Sequence, residues 1–407
     1  MALMAPQFMR DSSGAVSARR IAVAVGLAIL TFWLLAASFG RHVPIPNYVR
    51  HYRQDKLLES IQNSTLGFER ILVINLKART DRRDGIALAG SLTNLKFEFM
   101  EAATEVSLKS LPPRPPGDED REYGPAHLGC WRSHLNAARY IVENNLQTAL
   151  VMEDDADWDV RIHDQMTDLA RATRLLVQPI PGVEGAGEQF LDPTIGASLD
   201  GQQPQTFIAG AHDVKLPTSS PYGDIHRWDM LWIGHCGSSL PDGSNKLPLG
   251  RAIILNETTV PEQHHINFEF TDDDGFKNEY PAHTRVVFRG GRNVCTLAYA
   301  LTLNGARKIM YEMGIRQMAS TADGGLSDFC TGADNQAVPV CLSAQPQYFQ
   351  HHRPAGNISY FTDISDPWSD GINTAPHTDN LRWPTRPNIP KLLKGETDFE
   401  DNYPDGS

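Results

Sequence analysis

The feature that most constrains the fold is a succession of strand, helix and strand. Residues 70–76 (RILVINL) are a nearly continuous apolar run, which is typical of a strand covered on both faces. In residues 124–145, apolar side chains such as Leu128 and Trp131 recur at steps of three and four, the spacing of an amphipathic helix. A second apolar run follows at residues 148–152. This order predicts an α/β domain with a central, mostly parallel sheet.

The second predicted strand ends in a cluster of carboxylates, Glu153, Asp154 and Asp155. Ligands of open α/β sheets bind at the carboxyl ends of the strands. Clustered carboxylates there offer hard oxygen ligands for Mg²⁺ or Mn²⁺, and such a cation can bridge the phosphates of a nucleotide. From the pattern alone, a solvated acidic loop is the alternative. Asp157 and Asp159 lie beyond the turn, and we expect them to be solvated.

One segment has the composition of a membrane span. From Ile21 to Gly40 the chain has no charged residue, and about 20 helical residues reach across a bilayer. We predict a single-pass anchor here, with a cytosolic tail at residues 1–20 and a stem at 41–67. The alternative is a cleaved signal peptide, because Ala36 and Ser38 have a suitable spacing for cleavage. Both interpretations send the rest of the chain to an exported compartment.

The glycosylation sequons and the cysteines agree with that compartment. Asn63, Asn256 and Asn357 each begin an N-x-S/T triplet without proline. The five cysteines are too few for a disulfide scaffold and lack zinc-finger spacing. We prefer a bridge between Cys330 and Cys341, the alternative being two small buried side chains.

The overall charge bears on the class of partner. The chain has 37 Lys and Arg against 49 Asp and Glu, a net charge of −12. Without an overall positive field, nucleic acid is not expected as a partner.

Five motifs resemble those of family 25 glycosyltransferases, which include bacterial lipopolysaccharide-biosynthesis galactosyltransferases and procollagen galactosyltransferases. Each motif alone is weak evidence for the family, but the occurrence of all five in this order is specific to it. The matching segments are Ile74-Asn75-Leu76 with Arg79, Asp81, Arg82 and Arg83; Gly129-Cys130 with Ser133-His134; residues 150–156; residues 228–234; and Ala298-Tyr299 with Asn304-Gly305-Ala306.

The resemblance extends over residues 68–363, which we therefore expect to be the glycosyltransferase domain. Two polar insertions interrupt it, near residues 176–221 and 241–282. Loops of this length are usually lids over a site or disordered segments. Residues 364–407 are interpreted as a polar C-terminal tail.

The resemblance implies a GT-A-type fold and a sugar-transfer reaction. The predicted anchor and the sequons place this reaction in the lumen of the Golgi or endoplasmic reticulum. The donor would be a nucleotide sugar, most often UDP-galactose, and the acceptor a hydroxyl of a glycan or glycoprotein. A cation, Mn²⁺ or Mg²⁺, would neutralise the charge that develops on the leaving diphosphate. Its expected ligands are Glu153, Asp154 and Asp155. His351 and His352 follow a strand-like segment and are candidates for a late metal ligand or a phosphate contact, with a surface histidine pair as the alternative.

The same resemblance suggests nucleotide contacts from the first strand and from the helix that precedes the acidic cluster. The alternative for Arg82 is a place on the exposed face of a helix. The alternative for His134 is a packed, hydrogen-bonded position without a contact to the nucleotide. The expected contacts to the uridine or the diphosphate are Asn75, Arg79, Arg82, Ser133 and His134.

Inverting transfer also needs a general base for the acceptor hydroxyl. Asp323 lies beside two glycines after the predicted helix that follows Ala306, and it is the first candidate. Asp328 is the second. An Asp in an ordinary glycine turn is the alternative for either residue.

Two other classes of function remain open from the sequence. One is a catalytically inactive glycosyltransferase fold that acts as a binding or adhesion ectodomain. The other is a metal-dependent hydrolase, although the chain contains no HxH or HExxH motif.

Overall fold

The computed structural model describes residues 55–118, 120–182, 187–267, 270, 274–332, 337–364 and 371–407. The predicted cytosolic tail and anchor, and residues 41–54 of the predicted stem, lie outside these ranges. Within the described ranges, the helices are too short or too polar to cross a membrane.

Strands and helices largely alternate up to residue 177 of the described chain, and strands predominate after it. The strands are β1 (Arg70–Asn75), β2 (Glu98–Glu101), β3 (Thr148–Glu153), β4 (Ala156–Trp158), β5 (Thr206–Ile208), β6 (Met230–Gly234), β7 (Gly237–Ser238), β8 (Arg251–Ile254), β9 (Arg285–Arg289), β10 (Asn293–Val294), β11 (Ala298–Thr302), β12 (Cys341–Gln345), β13 (Phe349–Arg353), β14 (Gly356–Asn357), β15 (Ile372–Asn373) and β16 (His377–Thr378). The α-helices are α1 (Lys56–Glu59), α2 (Thr80–Leu92), α3 (Pro125–Glu143), α4 (Ile162–Val177), α5 (Asp274–Glu279), α6 (Leu303–Tyr311), α7 (Ala322–Thr331) and α8 (Ile389–Leu393).

A central sheet organises the domain, with the strand order β2-β1-β3-β11-β6-β12-β9-β8-β5. Strand β1 is parallel to both β2 and β3, and β6 is parallel to β12. Strand β11 lies between β3 and β6 and is antiparallel to both, so the sheet is mixed. Strands β13 and β4 pair beside this path, at the end of β6. The predicted α/β class is confirmed, and the architecture fits the GT-A-type fold that the resemblance implies.

Helices cover both faces of the sheet, which explains the continuous apolar runs. In β1, Ile71 and Val73 belong to the core on one face, and Leu72 and Ile74 to the core on the other. Successive side chains of a strand point to opposite faces, so a strand between two helical layers needs apolar residues at nearly every position. Helices α2 and α4 pack on the first face, and α3, α6 and α7 pack on the second.

The folded unit begins before the predicted boundary at Phe68. It extends from Asp55 to Ser407. In the last part of the predicted stem, Leu58 and Ile61 are buried in the first core, and the Asp55 carboxylate pairs with the buried Arg174. The few apolar side chains of this segment are spaced to fill the core, although its mean composition is polar.

The predicted insertions contribute to the sheet as well as to the surface. Strand β5 comes from the first insertion and β8 from the second, and they pair in parallel at the end of the sheet opposite β2. The buried side chains that support this edge include Phe207 and Ala252.

Two disulfides connect the segments around the second half of the sheet. The predicted bridge between Cys330 and Cys341 is confirmed. A second bridge, which the sequence did not indicate, joins Cys236 to Cys295 across 59 positions. Cys130 is a free thiol.

A buried ion pair fixes the turn that leads into β13. The Arg285 guanidinium contacts the Glu257 carboxylate at 2.7 Å, and their side chains are only 2% and 4% exposed. Arg285 also donates to the carbonyl oxygens of Pro346 and Gln347, between β12 and β13. The pair therefore helps to place the strand that carries His351.

We predict that Glu257→Gln lowers the free energy of unfolding by about 3–5 kcal/mol, because it leaves the buried guanidinium without its counter-charge. Denaturant titration of the purified chain measures this change. The matched control is Glu279→Gln, because Glu279 pairs with Arg251 at 2.7 Å but is 48% exposed. We expect this control substitution to lower the free energy of unfolding by about 1 kcal/mol or less. Equal losses in the two variants would contradict a special role for the buried pair.

Candidate active site

The carboxyl edge of the sheet gathers polar side chains from the ends of β1 and β3 and from β13. Because β1 and β3 are parallel with Ile74 opposite Glu153, Asn75 lies beside the acidic cluster. The Nδ2 of Asn75 donates to an Asp154 carboxylate oxygen at 2.7 Å. Strand β13 reaches the same cluster, because the His352 amide donates to the backbone carbonyl of Asp155.

The two adjacent aspartates have different surroundings. Both Asp154 oxygens have donors, one from Asn75 and the other from Arg82 at 3.0 Å. One Asp155 oxygen lies 3.3 Å from Arg82, whereas Oδ1 is buried and has no hydrogen-bond partner in the part of the chain that the structure describes. Burial opposes the charge of Asp155, but nearby basic groups, Arg82 first among them, lower its pKa to about 2. Asp155 is therefore ionised and has one carboxylate oxygen open to a ligand.

Three ligand-type side chains converge at the acidic cluster. Glu153, Asp155 and His351 each place a potential ligand atom within 4.8 Å of the others. Burial lowers the pKa of His351, so its imidazole is neutral near pH 7, the form that binds metals. Two carboxylates and an imidazole fit a divalent cation such as Mn²⁺. Asp154, the other predicted ligand, is not in this group.

A second arrangement around His351 does not offer metal ligands. The Cys236 sulfur lies 3.8 Å from Nδ1 of His351. Because Cys236 is bonded to Cys295, its sulfur is not a thiolate and does not bind a cation as one. The disulfide instead packs beside the imidazole.

A buried hydrogen-bond chain orients Glu153. Its Oε1 accepts from the Thr296 hydroxyl at 2.5 Å and lies 3.2 Å from Nε2 of His134. The other ring nitrogen of His134 contacts the Tyr299 hydroxyl at 2.9 Å. His134 is 4% exposed, so the packed alternative describes its position. It reaches the acidic cluster through Glu153.

Ser133, another predicted nucleotide contact, joins two parts of the backbone. Its hydroxyl donates to the carbonyl of Gly129 at 2.7 Å and accepts from the amide of Ala103 at 2.8 Å. The side chain is 3% exposed. These contacts fasten the chain after β2 to helix α3.

A cavity of about 200 Å³ adjoins the acidic cluster. Three arginines line it: the predicted contacts Arg79 and Arg82, and Arg386 from the C-terminal segment. Asp155 and His352 also lie on its wall. A cavity lined by guanidinium groups suits an anion, because each group offers several donors in one plane.

The two candidate bases lie on opposite sides of α7. The Asp323 carboxylate is in the first turn and accepts from the amide of Cys295 at 3.1 Å. The next residue is Thr296, which contacts Glu153. Asp328 is five positions later, which turns it about 140° around the helix. It lines a separate cavity of about 210 Å³ that also includes Trp131.

The expectation that Asp157 and Asp159 are solvated is wrong, because both are fully buried. Asp157 accepts from the Thr378 hydroxyl at 2.8 Å and from the Arg386 amide at 3.1 Å, and Asp159 accepts from the Trp383 amide at 3.2 Å. Burial raises the pKa of Asp157 to about 6 and that of Asp159 to about 7. The two carboxylates hold the C-terminal segment against β4.

The sequence interpretation therefore missed several residues at the site. Arg386 lines the cavity, Thr296 orients Glu153, and Asp363 contacts Arg79 and Arg82. No motif marks them. The one usable signal is the concentration of Trp, Pro and Arg in residues 382–387, which is unusual for a solvated tail.

Comparisons with known proteins agree with the resemblance. Residues 68–176 match glycosyltransferase family 25 (LPS biosynthesis protein). Procollagen galactosyltransferase 1-B of Xenopus laevis is 29% identical over 105 residues, which cover 23% of this chain and 17% of that protein. Procollagen galactosyltransferase 1 of Danio rerio is 29% identical over 118 residues, 26% and 20% of the two chains. The glycosyltransferase 25 family member of Drosophila melanogaster is 27% identical over 177 residues, 38% and 28% of the two chains.

The matched parts thus span less than a third of the length of these relatives. The matched family segment contains β1, α2, α3 and β3. Strand β1 supplies Asn75, the start of α2 supplies Arg79 and Arg82, and the end of β3 with the turn after it supplies the acidic cluster. The resemblance to family 25 glycosyltransferases is confirmed.

Proposed function

We propose that this chain, which carries a glycosyltransferase family 25 segment at residues 68–176, is a metal-dependent hexosyltransferase. The donor is a UDP-sugar, with UDP-galactose the first candidate, and the acceptor is a hydroxyl of a glycan or glycoprotein. The observation that carries this proposal is the convergence of Glu153, Asp155 and His351, together with an Asp155 oxygen that has no hydrogen-bond partner among the described residues. The galactosyltransferases among the relatives support galactose as the sugar.

The site residues have separate tasks in this proposal. When bound, the cation neutralises the charge that develops on the leaving diphosphate. Thr296 and His134 hold Glu153 in place, and Arg82 keeps Asp155 ionised. This buried network orients the ligands in advance, so less reorganisation is needed during the reaction.

We assign the general base to Asp323. Its position beside Cys295, one residue before Thr296, brings the start of α7 close to the acidic cluster. The carboxylate also accepts from the amide of Gly324 at 2.8 Å, which fixes its orientation. In this role Asp323 takes the proton of the acceptor hydroxyl as that oxygen attacks the anomeric carbon, while the bond from this carbon to the diphosphate oxygen breaks and UDP leaves.

We further propose that the domain works in the lumen of the Golgi or endoplasmic reticulum, anchored as a type II protein from Ile21 to Gly40. Two disulfides support an oxidising compartment. The asparagines of the three sequons are exposed, so an oligosaccharide transferase can modify them in the folded surface.

We expect the full-length chain from microsomes to carry N-glycans at one or more of Asn63, Asn256 and Asn357. Treatment with an N-glycosidase should therefore increase its electrophoretic mobility. The variant with all three residues changed to Gln is the control, and it should not respond. A C-terminal tag should resist protease until detergent is added. A tag that is digested in intact microsomes would contradict the lumenal location.

A donor screen tests the proposed function. Purified chain is incubated with Mn²⁺ and each of several UDP-hexoses, and release of UDP is measured with and without a pool of glycans and glycopeptides. We expect UDP release from UDP-galactose to increase with the acceptor pool and to stop with EDTA. Donor binding without turnover on any acceptor would favour the inactive ectodomain. Turnover that is unaffected by EDTA would contradict the metal site.

A further inference from the structure

Two arginines of the cavity beside the acidic cluster already bind a negative group from this chain. The Asp363 carboxylate lies between two arginines, in an ion pair with Nη1 of Arg79 and 3.5 Å from Nη2 of Arg82. The same Asp363 oxygen makes both contacts. One oxygen between two guanidinium groups is an arrangement that phosphate groups also adopt.

Backbone carbonyls of the same segment occupy further donors of these arginines. Arg82 Nη2 donates to the carbonyl of Phe361 at 2.7 Å, and Arg79 Nη2 donates to the carbonyl of Tyr360 at 3.3 Å. Tyr360 and Phe361 also line the cavity. Residues 360–363 therefore form an internal cap over the two guanidinium groups.

A third guanidinium group faces the cavity from the C-terminal segment. Arg386 donates from Nη2 to the carbonyl of Asp154 at 2.5 Å. Its Nε is buried without a hydrogen-bond partner within the described ranges. The backbone amide of Arg386 is bound to the buried Asp157, so the position of this side chain is fixed by the fold.

The side chains of the cap are more exposed to solvent than that of Arg386. The Asp363 side chain is 33% exposed and Tyr360 is 66% exposed, whereas Arg386 is buried. The cap can therefore leave the cavity into solvent without opening the core. Arg79, Arg82 and Arg386 would remain in place around the cavity.

We propose that this cavity is the subsite for the diphosphate of a nucleotide, and that Asp363 occupies a phosphate position until the nucleotide replaces it. Arg386 is the third guanidinium contact of that diphosphate. The inference rests on the proposed function for the class of ligand. It adds an internal competitor and a binding residue outside the matched family segment.

An internal competitor lowers the apparent affinity of its site. The observed dissociation constant equals the intrinsic one divided by the fraction of molecules with the site open. Removal of the Asp363 charge weakens the cap and increases that fraction. The nucleotide should then bind more tightly, although no contact to it has been added.

The test is calorimetric titration of UDP into the full chain with saturating Mn²⁺, for the wild type and Asp363→Asn. We expect Asp363→Asn to bind UDP about threefold to tenfold more tightly, the size of a partly exposed ion pair. Asp81→Asn is the matched control, because Asp81 also lines the cavity and pairs with Arg79, but its side chain is 63% exposed and forms no ion pair with Arg82 among the described residues. It measures the general effect of removing one negative charge. We expect Asp81→Asn to increase the affinity for UDP clearly less than Asp363→Asn does.

Arg386→Lys is the second variant, because it keeps the charge but loses the planar fork of donors. We expect about tenfold weaker UDP binding, with a melting temperature that shows the variant is folded. Equal gains in Asp363→Asn and Asp81→Asn, or no gain in either, would overturn the inference. If Mn²⁺ binds but UDP binds to neither the wild type nor Asp363→Asn, the proposed function itself fails.

Discussion

Asp155→Asn is expected to lower sugar transfer by a factor on the order of 10² or more, because Lewis-acid stabilisation by a cation contributes several kcal/mol. The substitution keeps the shape of the side chain but removes the charge that faces Glu153 and His351. It also removes the partner of Arg82 at 3.3 Å. Mn²⁺ binding and nucleotide binding should therefore weaken together.

The measurement is the initial rate of transfer against Mn²⁺ concentration, with thermal unfolding recorded on the same samples. Asp84→Asn is the matched control, because Asp84 is exposed on α2 and the chemical change is the same. We expect Asp84→Asn to retain the wild-type rate. Wild-type turnover of Asp155→Asn at saturating Mn²⁺ would remove Asp155 from the site.

Asp323→Asn is expected to lower turnover by about 10² to 10⁴, the usual contribution of a positioned general base. Donor and metal should still bind, because neither contacts Asp323 in the proposed arrangement. The loss should therefore be found in kcat, with little change in KM for the donor. Steady-state kinetics with one accepted donor and calorimetric binding of UDP measure the two effects.

Asp328→Asn provides the matched comparison on the same helix. Asp328 lines the other cavity and faces away from Cys295, so we expect a much smaller effect on turnover. Asp323 also accepts backbone hydrogen bonds, and a purely structural role would lower the melting temperature without a selective loss of kcat. If Asp328→Asn is inactive and Asp323→Asn is active, the two roles are exchanged.

The local pattern predicts the central part of the fold well. The runs around Ile71–Ile74 and Ala149–Met152 are apolar at every position because helices cover both faces of the sheet. The helical spacing of Leu128 and Trp131 predicts α3 because one face of that helix packs on the sheet. In each case, packing of the sheet against its helices determines both the spacing of the apolar residues and their burial.

Long-range contacts explain what the sequence does not predict. Asp157 and Asp159 have the composition of a solvated loop, but their charges face amides of a segment more than 200 residues later. The bridge between Cys236 and Cys295 likewise depends on β7 and β10 pairing. Contacts between distant segments produce no periodic pattern of apolar residues in the local sequence.

The same distinction applies to the site. The sequence predicts that carboxylates gather at the end of β3, because a strand end is a local feature. It does not distinguish Asp154 from Asp155, because that difference depends on Asn75 and Arg82 from another strand and helix. Nor does it predict Arg386, whose position follows from a contact with Asp157.

The most direct test of the central claim is anomalous diffraction at the manganese edge from crystals grown with Mn²⁺ and UDP. We expect one strong peak between the side chains of Glu153, Asp155 and His351, with the UDP diphosphate next to it. A second group of ligand-type side chains, Glu262, His264 and His265, lies on a different part of the domain and serves as an internal comparison. Manganese at that group alone, or UDP bound with no manganese beside Asp155, would contradict the account.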